Sequence, residues 1–360
     1  MIFPVSHPSI GQHERELVNE VLSSGWLTQG KQVHAFEQKL ADYLDVEHVI
    51  ACTSGTTALH LALASLGIGP GDEVLVPDLT FVATANAVRY CGATPILVDI
   101  DPETWTIDMN DIVRHLSPRT RAIIPVHLYG VSCNMAAVLA FARAAGIDVI
   151  EDTAEGFGAE RNGKALGTIG DAGTFSFYGN KIITTGEGGA VVTNSGHLAE
   201  RLRFLRGQAM TKQRYFHSEV GFNFRMTELQ AAIGRGQMER IDYMLGARKV
   251  VCDRYRERLS SFGYSPMTED SAPWLFTMQI ACGSRDELAE RLAEDGIETR
   301  PTFVPLHRMP MYARPDEEFP IASLIGDTGL SFPTYDTLTE GAVDDICDAV
   351  IKNIGAVCAA

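Results

Sequence analysis

The chain has 360 residues and a formal charge of −16. That length is enough for one large and one smaller domain with a sizeable core. The acidic balance argues against nucleic acid or an anionic membrane surface as the main partner. No run approaches the apolar length of a membrane span, and the segment Met1 to Pro8 has neither the basic region nor the apolar core of a signal peptide, so the expected location is the cytoplasm. Seven cysteines (Cys52, Cys91, Cys133, Cys252, Cys282, Cys347 and Cys358) are scattered without a C-x-x-C pair, which favours reduced thiols over a disulfide framework or a zinc site.

From about residue 50 to 195, strand-like and helix-like runs alternate. The strand-like runs are 48–52, 73–77, 94–100, 121–127, 148–152, 173–178 and 189–194, rich in Val and Ile and without clean polar alternation. Strands covered on both faces read this way. Helix-like stretches at 57–66, 83–91, 110–116 and 135–145 lie between them. The class is α/β, with a mostly parallel mixed sheet. Thr227 and Gln230 have capping-box spacing at the start of a helical pattern that continues through Arg258, long enough to bridge two domains. Residues 29–245 are expected to form the large domain, and 246–360 a smaller α/β domain joined by 1–28.

Chemistry concentrates at the ends of these strands. Val149-Ile150-Glu151-Asp152 puts an acid where a strand should end, and Thr174 to Asn180 delivers Lys181 towards the glycine-rich run Gly186-Glu187-Gly188-Gly189. A lysine able to form an imine, together with a carboxylate at the carboxyl edge of a parallel sheet, is what pyridoxal phosphate (PLP) chemistry needs. The lysine holds the aldehyde, and the carboxylate keeps the pyridine nitrogen protonated. Ser54-Gly55-Thr56-Thr57, between a strand and a helix, suits either a phosphate at a helix N-terminus or an ordinary N-cap. Phe81 suits either stacking on a cofactor ring or a core position, and Glu155 suits either the same ring or a solvated loop. Ser176 should face away from Phe175 and Phe177, towards a ligand or into a backbone hydrogen bond. No cluster with metal-ligand spacing occurs, and no glycine motif has the strand-then-helix order of a dinucleotide site.

In this order these segments resemble the DegT-type sugar aminotransferases, PLP enzymes of the aspartate aminotransferase fold (fold type I). The similarity runs through Ser54 to Leu59, Gly67 to Val74, Pro125 to Gly130, Glu151-Asp152, Phe175 to Phe177, Thr185 to Gly189 and Asn223 to Gln230. It implies that Lys181 forms the Schiff base, that Asp152 pairs with the pyridine nitrogen and that Phe81 stacks on the ring. It further implies that Glu155 sits by the ring hydroxyl and that Gly55, Thr56 and Ser176 hold the phosphate. Asn223 would reach the phosphate of a neighbouring subunit, which implies a homodimer with shared sites. The implied substrates are glutamate and a nucleotide-linked keto sugar. Gly179 to Thr185, Glu155 and Arg300 to His307 are most similar to members that aminate C4 of a GDP-linked 4-keto-6-deoxyhexose. UDP- or dTDP-linked sugars, and a regulator without turnover, are the alternatives. His307, on a proline-rich loop, and Trp26, on an N-terminal loop, are expected to border the sugar nucleotide, with core packing the other reading for Trp26.

Overall fold

The structure is a computed structural model that describes residues 2–281 and 284–359. Its main sheet is built from β1 (His48–Cys52), β2 (Glu73–Pro77), β3 (Thr94–Val98), β4 (Thr120–Ile123), β5 (Asp148–Asp152), β8 (Ala172–Ser176) and β9 (Gly189–Thr193), with β6 (Glu160–Arg161) and β7 (Lys164–Ala165) forming a separate hairpin. The strand order is β1-β9-β8-β5-β4-β2-β3. β9 runs antiparallel to both of its neighbours, and the other pairings are parallel. Every residue of β2 and β9 is buried, as expected for strands with helices on both faces.

A smaller sheet follows, ordered β10-β11-β13-β12, from β10 (Gly263–Tyr264), β11 (Thr277–Ile280), β12 (Arg300–Pro301) and β13 (Gly329–Ser331). Its apolar core includes Val251, Tyr255, Phe276, Leu288, Phe332 and Ile346, separate from the core beneath the main sheet.

The helical pattern expected from 227 through 258 is broken. Helices Glu228–Met238 and Ile241–Leu259 are separated at Arg240, whose φ of −117° and ψ of 10° leave the helical region. The Arg240 guanidinium bonds instead to the Ser9 carbonyl at 2.6 Å and to Glu14 at 3.0 Å. The N-terminal segment also divides. Phe3 bridges to Ile297 beside the small sheet, whereas helix Gln12–Ser24 packs through Leu17 and Val21 on Ala232 of helix Glu228–Met238.

The expectation of reduced thiols is corrected in one place. Cys52, Cys91, Cys133, Cys252 and Cys347 are free, but Cys358 is disulfide-bonded, and Cys282 lies outside the described residues. Among the described residues no helix is long and apolar enough to cross a membrane, and no group of His, Cys, Asp and Glu is placed to hold a metal ion.

Candidate active site

A cavity of about 500 Å³ opens at the carboxyl edge of the main sheet, where α/β folds place their ligands. Gly55, Thr56, Phe81, Asp152, Glu155, Ser176 and Lys181 all line it. The structure thus brings together seven of the ten residues singled out from the sequence.

The lysine is carried by the connection between β8 and β9. Phe177 N–H donates to the Gly188 carbonyl and Thr185 N–H to the Phe177 carbonyl, each at 2.9 Å, so the connection is closed at its base. Ile182 and Ile183 are buried and anchor its middle. From the C-terminal half, Trp274 Nε1–H donates to the Asn180 carbonyl at 2.9 Å. Lys181 Nζ lies 3.9 Å from the centroid of the Trp274 ring and 3.8 Å from Glu155 Oε1. Burial holds the amine below the ordinary lysine range, against the pull of Glu155 and Asp152.

Asp152 ends β5, and its side chain is buried. Thr84 Oγ1–H donates to Oδ2 at 2.8 Å and Ala154 N–H to Oδ1 at 3.1 Å. Burial raises its pKa despite these two donors, which lower it. A carboxylate in this setting gains from a cationic partner, and each oxygen already has one donor to fix its direction.

The third part is the N-terminus of helix Gly55–Ser65. Ser54 and Thr57 form a capping box there, with Thr57 N–H donating to Ser54 Oγ at 3.1 Å. The first-turn N–H groups have no intrahelical acceptor and favour an anion. A Cβ on Gly55 would lie 2.8 Å from Ser176 Cβ, so only glycine lets the helix end approach β8 this closely.

Glu155 Oε2 accepts the Tyr129 N–H at 2.8 Å, and burial pushes the acid up to about 7, although Lys181 and this hydrogen bond pull it down. Tyr129 is itself buried, with its ring stacked between Trp274 (6.0 Å) and Phe303 (5.7 Å), and its hydroxyl accepts the Phe303 N–H at 3.2 Å.

Three residues stand apart from the cavity. Asn223 is exposed, and its Oδ1 accepts from Arg225 Nε at 3.2 Å. Trp26 is exposed beside Glu228 in a separate shallow pocket. His307 is fully buried and faces Asp78 and Asp316 instead of the cavity, which corrects the reading of a loop histidine open to substrate. Proline suggested an exposed loop, but the segment packs against the end of β2. Sequence reasoning also missed Thr84, Tyr129 and Trp274 as parts of the site. Tyr129 lay within a quoted motif with no role assigned, and its φ of 51° is a strained value that sequence does not show.

PLP fits these residues. The lysine amine is buried and destabilised as a cation, the acid ending β5 is held for a cationic partner, and a glycine opens a helix N-terminus beside a serine. Lys181 would hold the aldehyde carbon, Asp152 the ring nitrogen, and Gly55, Thr56 and Ser176 the phosphate.

Residues 8–351 match the model of the DegT/DnrJ/EryC1/StrS aminotransferase family. The chain is 46% identical over 358 residues to the GDP-perosamine synthase of Caulobacter vibrioides, covering 96% of each. It is 42% identical to the GDP-perosamine synthase of Escherichia coli O157:H7, covering 96% of this chain and 97% of that one. Among solved structures, the PLP form of Spr1654 from Streptococcus pneumoniae superposes with a TM-score of 0.94 at 26% identity, covering 99% of this chain and 100% of that one. The family model, the near full-length relatives and the lysine–carboxylate cavity agree: the chain belongs to the DegT/DnrJ/EryC1/StrS family and is a PLP-dependent sugar aminotransferase.

Proposed function

We propose that the chain transfers an amino group from glutamate to C4 of GDP-4-keto-6-deoxymannose, giving GDP-perosamine for a surface glycan. The observation that carries the transfer chemistry is the buried Lys181 amine, in one cavity with Asp152 and 3.8 Å from Glu155. The choice of sugar is supported by the two perosamine synthases, similar along nearly their whole length.

When bound, PLP supplies an aldehyde and an electron-withdrawing ring that stabilises negative charge at the carbon losing its proton. Lys181 holds the cofactor and then serves as the base and acid at the reacting carbon. Its depressed pKa makes the neutral amine available for that work. Asp152 holds the proton on the ring nitrogen, oriented by Thr84 and Ala154. Glu155 sits close enough to Lys181 to balance its charge as it gains and loses a proton. The Trp274 ring, backed by Tyr129 and then Phe303, covers one side of the amine.

The active unit in this reading is a homodimer, with Asn223 reaching the phosphate of the neighbouring subunit. Its exposure and its position outside the chain's own cavity are compatible with that role.

A coupled assay with glutamate across GDP-, UDP- and dTDP-linked 4-keto-6-deoxyhexoses tests the substrate. Efficient amination of the GDP-linked mannose derivative is expected. An inert GDP compound alongside a readily aminated UDP or dTDP sugar overturns the choice of substrate and leaves the aminotransferase standing.

A further inference from the structure

Two segments from opposite halves of the chain meet at Asp78, the residue after β2. Leu306 N–H donates to the Asp78 carbonyl and His307 N–H to Asp78 Oδ1, each at 2.8 Å. The His307 ring closes the contact, with Nδ1 lying 2.5 Å from Asp78 Oδ2. Its other ring nitrogen lies 2.9 Å from Asp316 Oδ1 and 3.3 Å from Ser323 Oγ, and one ring face stacks on Phe319 at 4.8 Å. Both Asp78 and His307 have fully buried side chains. Burial raises Asp78 to about 6 even though the His307 contacts pull it down. A buried acid costs stability that an apolar pair would not, so stability alone is a weak reason for this pair.

The positions on either side of the clamp suggest what the pair does. Two residues after Asp78, Thr80 lines the cavity, and its hydroxyl lies 3.2 Å from the Thr84 hydroxyl that in turn binds Asp152. Three residues after Asp78 comes Phe81, and four before His307 comes Phe303. Both rings line the cavity, with centroids 5.7 Å apart. Phe303 is fixed from its other side by Tyr129. Phe81 belongs to the large-sheet half and Phe303 to the C-terminal half, and the Asp78–His307 contact joins their two segments directly.

The geometry points to Asp78 and His307 as positioning residues that set the spacing of the Phe81–Phe303 wall, and through it the fit of the bulky nucleotide-linked substrate. This rests on the reading that the cavity takes a nucleotide sugar. His307 touches neither the lysine nor the cavity. Its loss therefore acts only through the wall, and more on the bulky second substrate than on the glutamate half of the reaction, which is centred on Lys181 and Asp152.

The test uses full-length PLP-loaded protein and three variants. His307→Leu removes both ring contacts, His307→Asn returns an amide donor where Nδ1 stood, and Asp78→Asn removes the charge from the other side. His307→Leu is expected to raise KM for the nucleotide sugar about tenfold, with a clearly smaller effect on single-turnover release of 2-oxoglutarate from glutamate. His307→Asn is expected to restore most of the KM. A loss shared equally by both half-reactions, an unchanged sugar KM, or no rescue by asparagine overturns the proposal. If His307→Leu does not fold, Asp78→Asn carries the same reading and is overturned by an unchanged sugar KM. A wild type active with glutamate yet inert towards every nucleotide sugar sinks the substrate reading and the clamp together. A wild type active on a nucleotide sugar with an insensitive KM in the variants sinks the clamp alone.

Discussion

Lys181 Nζ and Glu155 Oε1 lie 3.8 Å apart in a setting where burial opposes the charge on both. Glu155 is lifted from 4.5 to about 7, so between those values the folded chain keeps a proton that the unfolded chain has released. Stability therefore falls as pH rises through that window and stays lower above it. In cofactor-free protein, Glu155→Gln removes this cost. The variant is expected to be more stable than wild type near pH 8, by an amount on the order of 3 kcal/mol, with the gain vanishing towards pH 4.5. A gain of equal size at both ends of the range would show that Glu155 does not titrate there.

Asp152 and Thr84 separate charge from orientation. Asp152→Asn keeps the shape and removes the charge, and turnover is expected to fall by about a thousandfold or more, roughly 4 kcal/mol of barrier. Thr84→Val keeps the charge and removes one donor at 2.8 Å. A loss of about tenfold is expected. Steady-state kinetics on both variants checks the pair, and wild-type turnover in Thr84→Val would mean the hydroxyl does not orient the acid.

Gly55 tests the phosphate cradle. An added methyl would meet Ser176 Cβ at 2.8 Å and Oγ at 3.3 Å, at the point where the helix end approaches β8. Gly55→Ala is expected to weaken PLP binding about tenfold or more, roughly 1.4 kcal/mol. Absorbance titration of the cofactor-free protein measures it. Undiminished affinity would place the phosphate elsewhere.

Shared sites predict complementation. Lys181→Ala and Asn223→Ala chains, each impaired alone, are expected to recover activity when mixed under subunit exchange, since one hybrid site keeps both residues. Sedimentation of a fully active monomer would end the shared-site model.

How legible the site was depended on where its residues stand in the sequence. Asp152 and Lys181 could be read together because strand ends in an α/β pattern fall on one edge, and an imine-forming lysine paired with a carboxylate there is what PLP chemistry needs. Ser176 was reachable by alternation alone, flanked by the buried Phe175 and Phe177. Trp274 was not, because its contact with the lysine spans 93 residues of sequence and depends on how the two halves dock. His307 was misread because prolines indicate a lack of regular structure, not exposure, and its partner Asp78 lies 229 residues away. The break at Arg240 was hidden for a similar reason: the groups its guanidinium binds, Ser9 and Glu14, lie 231 and 226 residues away in the chain.

The reversal of β9 within an otherwise parallel sheet has a further consequence. Parallel neighbours need a crossover that carries the chain back to the opposite edge, whereas antiparallel neighbours are joined where they meet. The arm from Phe177 to Gly188 therefore leaves and re-enters the sheet on the same side, tethered at both ends. Its length is free of the sheet's threading. Insertions or deletions within the arm can be absorbed while every strand pairing stays in register, so it is the contacts of Ile182, Ile183 and Trp274, and not the sheet, that hold the amine in place.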